Sequence, residues 1–200
     1  MKIAFLGHRK IENREIIRSI TTAVIAKLIA QGADTFLFGS RSEFDSLCYE
    51  IVSDFKRSNP RLQRVYVRAE YEFISDDYIA YLLERFESTF FPKEVSNAGR
   101  AAYVKRNQVM IDLCDLAVIY YDENVSPANS HSGTARAVQY LLKRKKKIYQ
   151  YKVTNYLISP IPVPWLNISS KEISPLIYTN PPPFKNFPPH SRTICSPYAS

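Results

Sequence analysis

Arg106 stands on a stretch of helical spacing whose same-face neighbours, Ala102, Tyr103, Val109, Met110 and Leu113, are apolar or aromatic. A guanidinium in such a stripe must snorkel to water, pair with a carboxylate, or meet an anionic ligand, because an unpaired buried cation is costly. Two readings stand side by side: contact with an anion, or a structural pair with Asp115 or Asp45. Farther along, Ser132-Gly133-Thr134 has the composition of a helix start. Hydroxyls there satisfy orphan amide donors, and glycine lets a phosphate or another backbone come close. An ordinary N-cap would use the same residues without any ligand. Between the two lies an apolar run, Leu116 to Tyr121, that reads as a strand. The order of Arg-bearing helix, strand and Ser-Gly-Thr start would gather a cation and free amides around one strand's carboxyl end, chemistry suited to a phosphorylated ligand.

Two more groups fall at strand ends. Gly7-His8-Arg9 follows the first strand and Gly39-Ser40-Arg41 the second. No neighbouring nucleophile awaits activation by His8, so a structural histidine is the plainer reading. Asp45 could bind a ribose hydroxyl, but Ser42-Glu43-Phe44-Asp45 is also a capping box, its simpler role. Residues 70–92 are rich in Tyr and Phe. Those rings could stack on a base, although packing within the core or a lid explains them as well. Arg85, in the same segment, is expected away from the site. Cys48, Cys114 and Cys195 are too scattered for a disulfide framework or zinc site, the first two reading as small core residues. The three histidines lack metal-ligand spacing, and no metal or other cofactor is expected. There is no G-x-G-x-x-G, G-x-x-x-x-G-K-[ST] or G-x-S-x-G motif.

The elements that must hold these residues alternate. Short apolar runs at residues 3–7, 35–39, 64–68, 116–121 and 147–151 read as strands. Helical spacing follows in Ile16, Ile17, Ile20, Val24 and Leu28, opened by Asn13 and stopped by Gly32, then from 43 to about 58, 77–87, 97–114 and 133–143. The pattern predicts an α/β three-layer sandwich with a mostly parallel five-stranded sheet. Composition changes near Val153. Ten of thirteen prolines lie at or beyond Pro160, so residues 1–152 form the expected domain. Residues 153–200 are expected as a proline-rich tail, mostly extended or poorly ordered, and not a regular continuation of the sheet.

The formal charge of +8 raises nucleic acid as a partner. Its one dense block, Lys143-Arg144-Lys145-Lys146-Lys147, falls at a helix end, where cations complement the helix dipole, and so does not favour that partner. No apolar run approaches the roughly 20 residues that span a bilayer. The first residues do not resemble a signal peptide. A cytoplasmic protein without a membrane partner is expected, and oligomerisation is left open.

Together Gly7-His8-Arg9, Gly39 with Phe44-Asp45, Ala102-Tyr103-Val104-Lys105-Arg106-Asn107 with Met110 and Asp115, and Ser132-Gly133-Thr134 resemble the SLOG superfamily. That Rossmann-like group includes the YpsA-type proteins, the Lonely Guy phosphoribohydrolases and DprA, and the likeness is to the YpsA-type branch over residues 1–152. It implies a pocket for a nucleotide or nucleotide-derived ligand at the strand carboxyl ends, formed by Gly7, His8, Arg9, Gly39, Ser40, Arg41, Asp45, Arg106, Asn107, Ser132, Gly133 and Thr134. Lonely Guy enzymes also carry P-G-G-x-G-T-x-x-E, and its glutamate position falls here on Ala137. With Asp122 or Glu123 as the only substitutes in view, the expectation is a sensor or accessory protein that binds its ligand. Cleavage of a nucleotide N-glycosidic bond and DprA-like single-stranded DNA binding are the alternatives.

Overall fold

In the computed structural model the chain is described over residues 1–39, 42–121, 132–154 and 157–162, with side chains as far as residue 149. Six strands run parallel: β1 (Lys2–Gly7), β2 (Thr35–Phe38), β3 (Gln63–Val67), β4 (Ser88–Phe90), β5 (Leu116–Tyr120) and β6 (Lys147–Thr154). A seventh, β7 (Leu157–Pro162), closes one edge antiparallel to β6, and the order is β4-β3-β2-β1-β5-β6-β7. Five helices accompany them among the described residues: α1 (Arg14–Ala30), α2 (Glu43–Ser58), α3 (Asp76–Leu83), α4 (Ala102–Leu113) and α5 (Gly133–Lys143).

Burial of the central strands dictates three layers. All five residues of β5 are buried, as are Ile3 to Leu6 of β1, so both faces of the sheet need cover. Ile3, Phe5, Phe36 and Phe38 meet the apolar faces of α1 and α2, with Leu82 of α3 in the same cluster. Ala4, Leu6, Ala117 and Ile119 meet Met110 and Ile111 of α4 and Ala135, Ala137 and Leu141 of α5. The architecture is Rossmann-like in this general sense.

The five expected strands are present, and two edge strands join them. β4 is three residues of mixed polarity, too short to stand out in the sequence. β7 contains Pro160 and Pro162, and an edge strand tolerates prolines because its outer donors need no partner. The compositional boundary near Val153 therefore falls inside β6, and the sheet continues to Pro162. The rest of the expected tail lies outside the described residues.

Helix ends show local physics. Asn13 occupies the N-cap of α1 in a left-handed conformation and makes no side-chain cap bond. Gly32 does stop that helix, with φ 93° and its N–H donated to the Ile29 carbonyl at 2.9 Å. Asn97 and Gly99 both have positive φ, so the helix expected from residue 97 begins only at Ala102, after two short 3₁₀ turns.

Candidate functional site

The chain runs outward from β1 through β2 and β3 to β4, then returns to the other side of β1 as β5. This reversal puts the carboxyl ends of β1 and β5 side by side, with Gly7 opposite Tyr120. A crevice outside such a switch point is where open α/β sheets take ligands. His8 follows β1, donating its backbone N–H to the Tyr120 carbonyl at 3.3 Å. Its buried ring stacks on Tyr121 and meets Tyr120 edge-on. Arg9 is exposed, and its carbonyl accepts the first amide of α2, from Glu43, at 2.9 Å. The Glu43 carboxylate in turn accepts the Ile11 N–H at 3.0 Å, fastening the turn after β1 to α2.

Gly7 is required by packing: a Cβ there would lie 2.5 Å from Cδ1 of Phe44. The close approach lets α2 start directly over the end of β1. Ser42 caps α2 by accepting the Asp45 N–H at 3.1 Å, which is the first half of the expected capping box. On the other side of the sheet, Ser132 caps α5 by accepting the Ala135 N–H at 3.0 Å. Thr134 donates its hydroxyl to the Gly7 carbonyl at 3.2 Å, locking the start of α5 to the end of β1. Gly133 differs from Gly7, because among the described residues a Cβ on it would meet nothing within 4 Å. Its φ is not in the left-handed range, so neither the backbone nor packing among the described residues demands a glycine there.

Among the described residues Arg106 is the largest fully buried side chain, 2% exposed. Its Nη1 donates to the Gly39 carbonyl, with the Val67 carbonyl at 3.5 Å, and its Nε donates to Oδ1 of Asn107 at 2.9 Å. The guanidinium thus closes the carboxyl ends of β2 and β3. It also lies 5.8 Å from the centre of the half-exposed Tyr103 ring. Burial pulls its pKa down, against the opposing fields of Asp45, Tyr66 and Glu70, and the group remains a cation. Among the described residues Arg106 makes no ion pair, and its Nη2 makes no hydrogen bond. Of the carboxylates that sequence offered it, Asp115 instead accepts the Lys2 N–H at 2.7 Å, at the opposite end of the sheet. Asp45 is near enough for its field to act. Gly39 is the counterpart of the buried guanidinium, since a Cβ would lie 2.7 Å from Nη1 and 2.9 Å from the Val67 carbonyl oxygen.

The structure therefore makes two groups of the expected site residues: Gly7, His8, Arg9, Ser132, Gly133 and Thr134 at the switch point, and Gly39, Arg106 and Asn107 at the ends of β2 and β3, with Asp45 close enough for its charge to act on Arg106. Ser40 and Arg41 lie outside the described residues, as do Asp122 and Glu123. Ala137 is buried against the sheet. The buried thiols of Cys48 and Cys114 are pushed up by desolvation, Cys114 to about 11, which leaves both unreactive at neutral pH. No metal-holding cluster of His, Cys, Asp or Glu occurs among the described residues. Nor is any helix there long and apolar enough to cross a membrane.

Sequence reasoning missed a cavity of about 450 Å³ between α2 and α3, lined by Asp45, Tyr49, Tyr66, Tyr78, Tyr81 and Arg85 among others. The aromatic enrichment of residues 70–92 was its only signal. Arg85, expected away from the carboxyl-edge site, lines this separate cavity. The dense basic block sits at the other end of the sheet, where β6 begins. There Arg144 pairs with Asp112 at 2.6 Å, and Lys146 donates to the carbonyls of Asp112 and Cys114 at the end of α4. In comparisons with known proteins, no family model matches the chain and no curated protein matches it.

Proposed function

We propose that the protein binds a nucleotide or nucleotide-derived ligand at the carboxyl edge of the sheet, as a sensor or accessory protein of the SLOG kind. The observation that carries this reading is the start of α5: a helix end fixed to β1 through Thr134 and Gly7, with no other described residue within 4 Å of a Cβ placed on Gly133. The N–H groups and positive dipole end of a helix suit a phosphate, and a glycine that the fold does not need leaves room for one. Exposed Arg9 adds a cation at the neighbouring strand end. Arg106 acts chiefly as a brace, holding the carbonyls of β2 and β3, and its Nη2 is the part left to meet a ligand. The burial of Ala137 supports binding over glycosidic hydrolysis, because the glutamate position of the Lonely Guy motif here faces the core.

The test is thermal unfolding with AMP, ADP-ribose, NAD, cyclic ADP-ribose and a short single-stranded oligonucleotide. A ligand at about 100 times its Kd stabilises the fold by roughly 2.7 kcal/mol. Gly133→Glu separates ligand from fold. An acidic residue in the first turn favours the helix dipole, so this variant is expected to unfold at the same temperature or slightly higher. It is also expected to lose the nucleotide-induced shift. A full shift in Gly133→Glu, or none in the wild type, removes the proposal. Release of free base during incubation replaces it with the hydrolase reading.

A further inference from the structure

We infer that the cavity between α2 and α3 seats a nucleobase; the ligand class rests on the nucleotide reading above, while the place rests on separate residues. Its volume of about 450 Å³ lies in the range of small-molecule sites, about 300–1,000 Å³. Its walls are rings already set in orientation. Tyr78 and Tyr81 stack with centroids 5.9 Å apart and planes 13° from parallel. Arg85 donates to the Tyr81 hydroxyl at 2.7 Å and lies 5.7 Å from the centre of that ring. Tyr66 packs on Phe86 at the floor. Tyr81 is held from two sides and is nevertheless 47% exposed. Core burial does not explain an ordered tyrosine left half in water, whereas stacking on a planar ligand does.

Charge narrows the ligand further. Glu50, on the α2 wall, is taken up by Arg14 and Arg18 at 2.9 and 2.7 Å. Arg85 is turned onto the rings of Tyr49 and Tyr81. Asp45 apart, the wall therefore offers polarisable faces more than net charge, which fits a neutral ring with a polar edge. Packed neighbours lead from the cavity to the end of β1. Asp45 lines it, Phe44 beside Asp45 touches the Gly7 position, and the Gly7 carbonyl receives Thr134. A base in the cavity puts its sugar on the side of Asp45.

The experiment titrates the full chain and three variants with the four common ribonucleosides, their 5′-monophosphates and ribose 5-phosphate. Tyr81→Ala is expected to weaken nucleoside and nucleotide binding about tenfold or more, with ribose 5-phosphate unchanged. Tyr81→Phe keeps the ring and is expected to retain binding. Gly133→Glu is expected to lose the phosphorylated ligands and keep the nucleosides. Unchanged nucleotide affinity in Tyr81→Ala overturns the base seat while leaving the phosphate site standing. Wild-type binding of ribose 5-phosphate but no nucleoside does the same. Nucleoside binding insensitive to Gly133→Glu, with no added affinity from the phosphate, upholds the base seat and removes the helix-start site. Binding of a single-stranded oligonucleotide alone, steeply weakened by salt, overturns the small-molecule assignment.

Discussion

Two arginines at opposite ends of the same strand are buried in different ways. Arg64, near the amino end of β3, is completed by Glu87: its Nη2 and Nε reach the two carboxylate oxygens at 2.8 and 3.3 Å, and Ser53 takes Nη1 at 2.8 Å. The Glu87 hydrogen bonds raise the pKa of Arg64, outweighing its burial. Arg106, at the carboxyl end, is held by strand carbonyls and an amide oxygen, and burial lowers its pKa. A charge paired with a carboxylate is largely cancelled where it sits. One held mainly by neutral dipoles keeps more of its field, which reaches into the nearby crevice. On the proposed reading, local pairing is thus a better guide to an anion site than the density of Lys and Arg along the chain.

The largest expected effect tests the fit at Arg106. Gly39→Ala forces a methyl against the guanidinium and the Val67 carbonyl, and should cost about 3 kcal/mol in urea unfolding. In Arg106→Met the forked head is gone, so the same methyl should cost less. The double variant Gly39→Ala with Arg106→Met is therefore expected to be more stable than the two single losses added together, by about 1 kcal/mol. Strict additivity would show that Gly39 does not exist for Arg106.

At the other end, Glu87→Gln should cost about 1–2 kcal/mol at neutral pH, since it leaves Arg64 and Lys56 without their carboxylate. Burial raises the Glu87 pKa, but the Arg64 bonds prevail and the net shift is downward. Its stabilisation is therefore complete above the ordinary glutamate range and is lost as pH falls through the lowered folded value. Wild-type stability should decline more steeply below about pH 4.3 than that of Glu87→Gln. Parallel declines would mean that this carboxylate is no more secure folded than unfolded. The smallest effect on stability belongs to Gly133→Glu, a gain of about 0.3–1 kcal/mol at most, and it should change ligand binding most.

Much of this arrangement was legible in the chain. The uniform apolar runs of β1 and β5 declared a covered parallel sheet, and an arginine in an apolar stripe declared that something must hold it. What held it was not legible. Gly39 and Arg106 are 67 positions apart, and a carbonyl acceptor leaves no mark in residue type, whereas a carboxylate does; Asp115 and Asp45 were the visible candidates for that reason. The cavity was hidden because it needs α2 and α3 side by side, and Tyr78 and Tyr81 have the same spacing whether they pack inward or line an opening. β4 was hidden by its polarity and its three residues.

The three glycines at these strand ends and the helix start differ in what would preserve them. Selection for a folded chain alone removes variants at Gly7 and Gly39, where any side chain strikes Phe44 or Arg106, whereas at Gly133 a side chain strikes nothing among the described residues. In a library of random variants sorted only for stability, position 133 should drift freely. Sorted for ligand retention, it should return to glycine. The gap between the two enrichments at that one position would read out, without knowledge of the ligand, how much of the sequence is kept for binding.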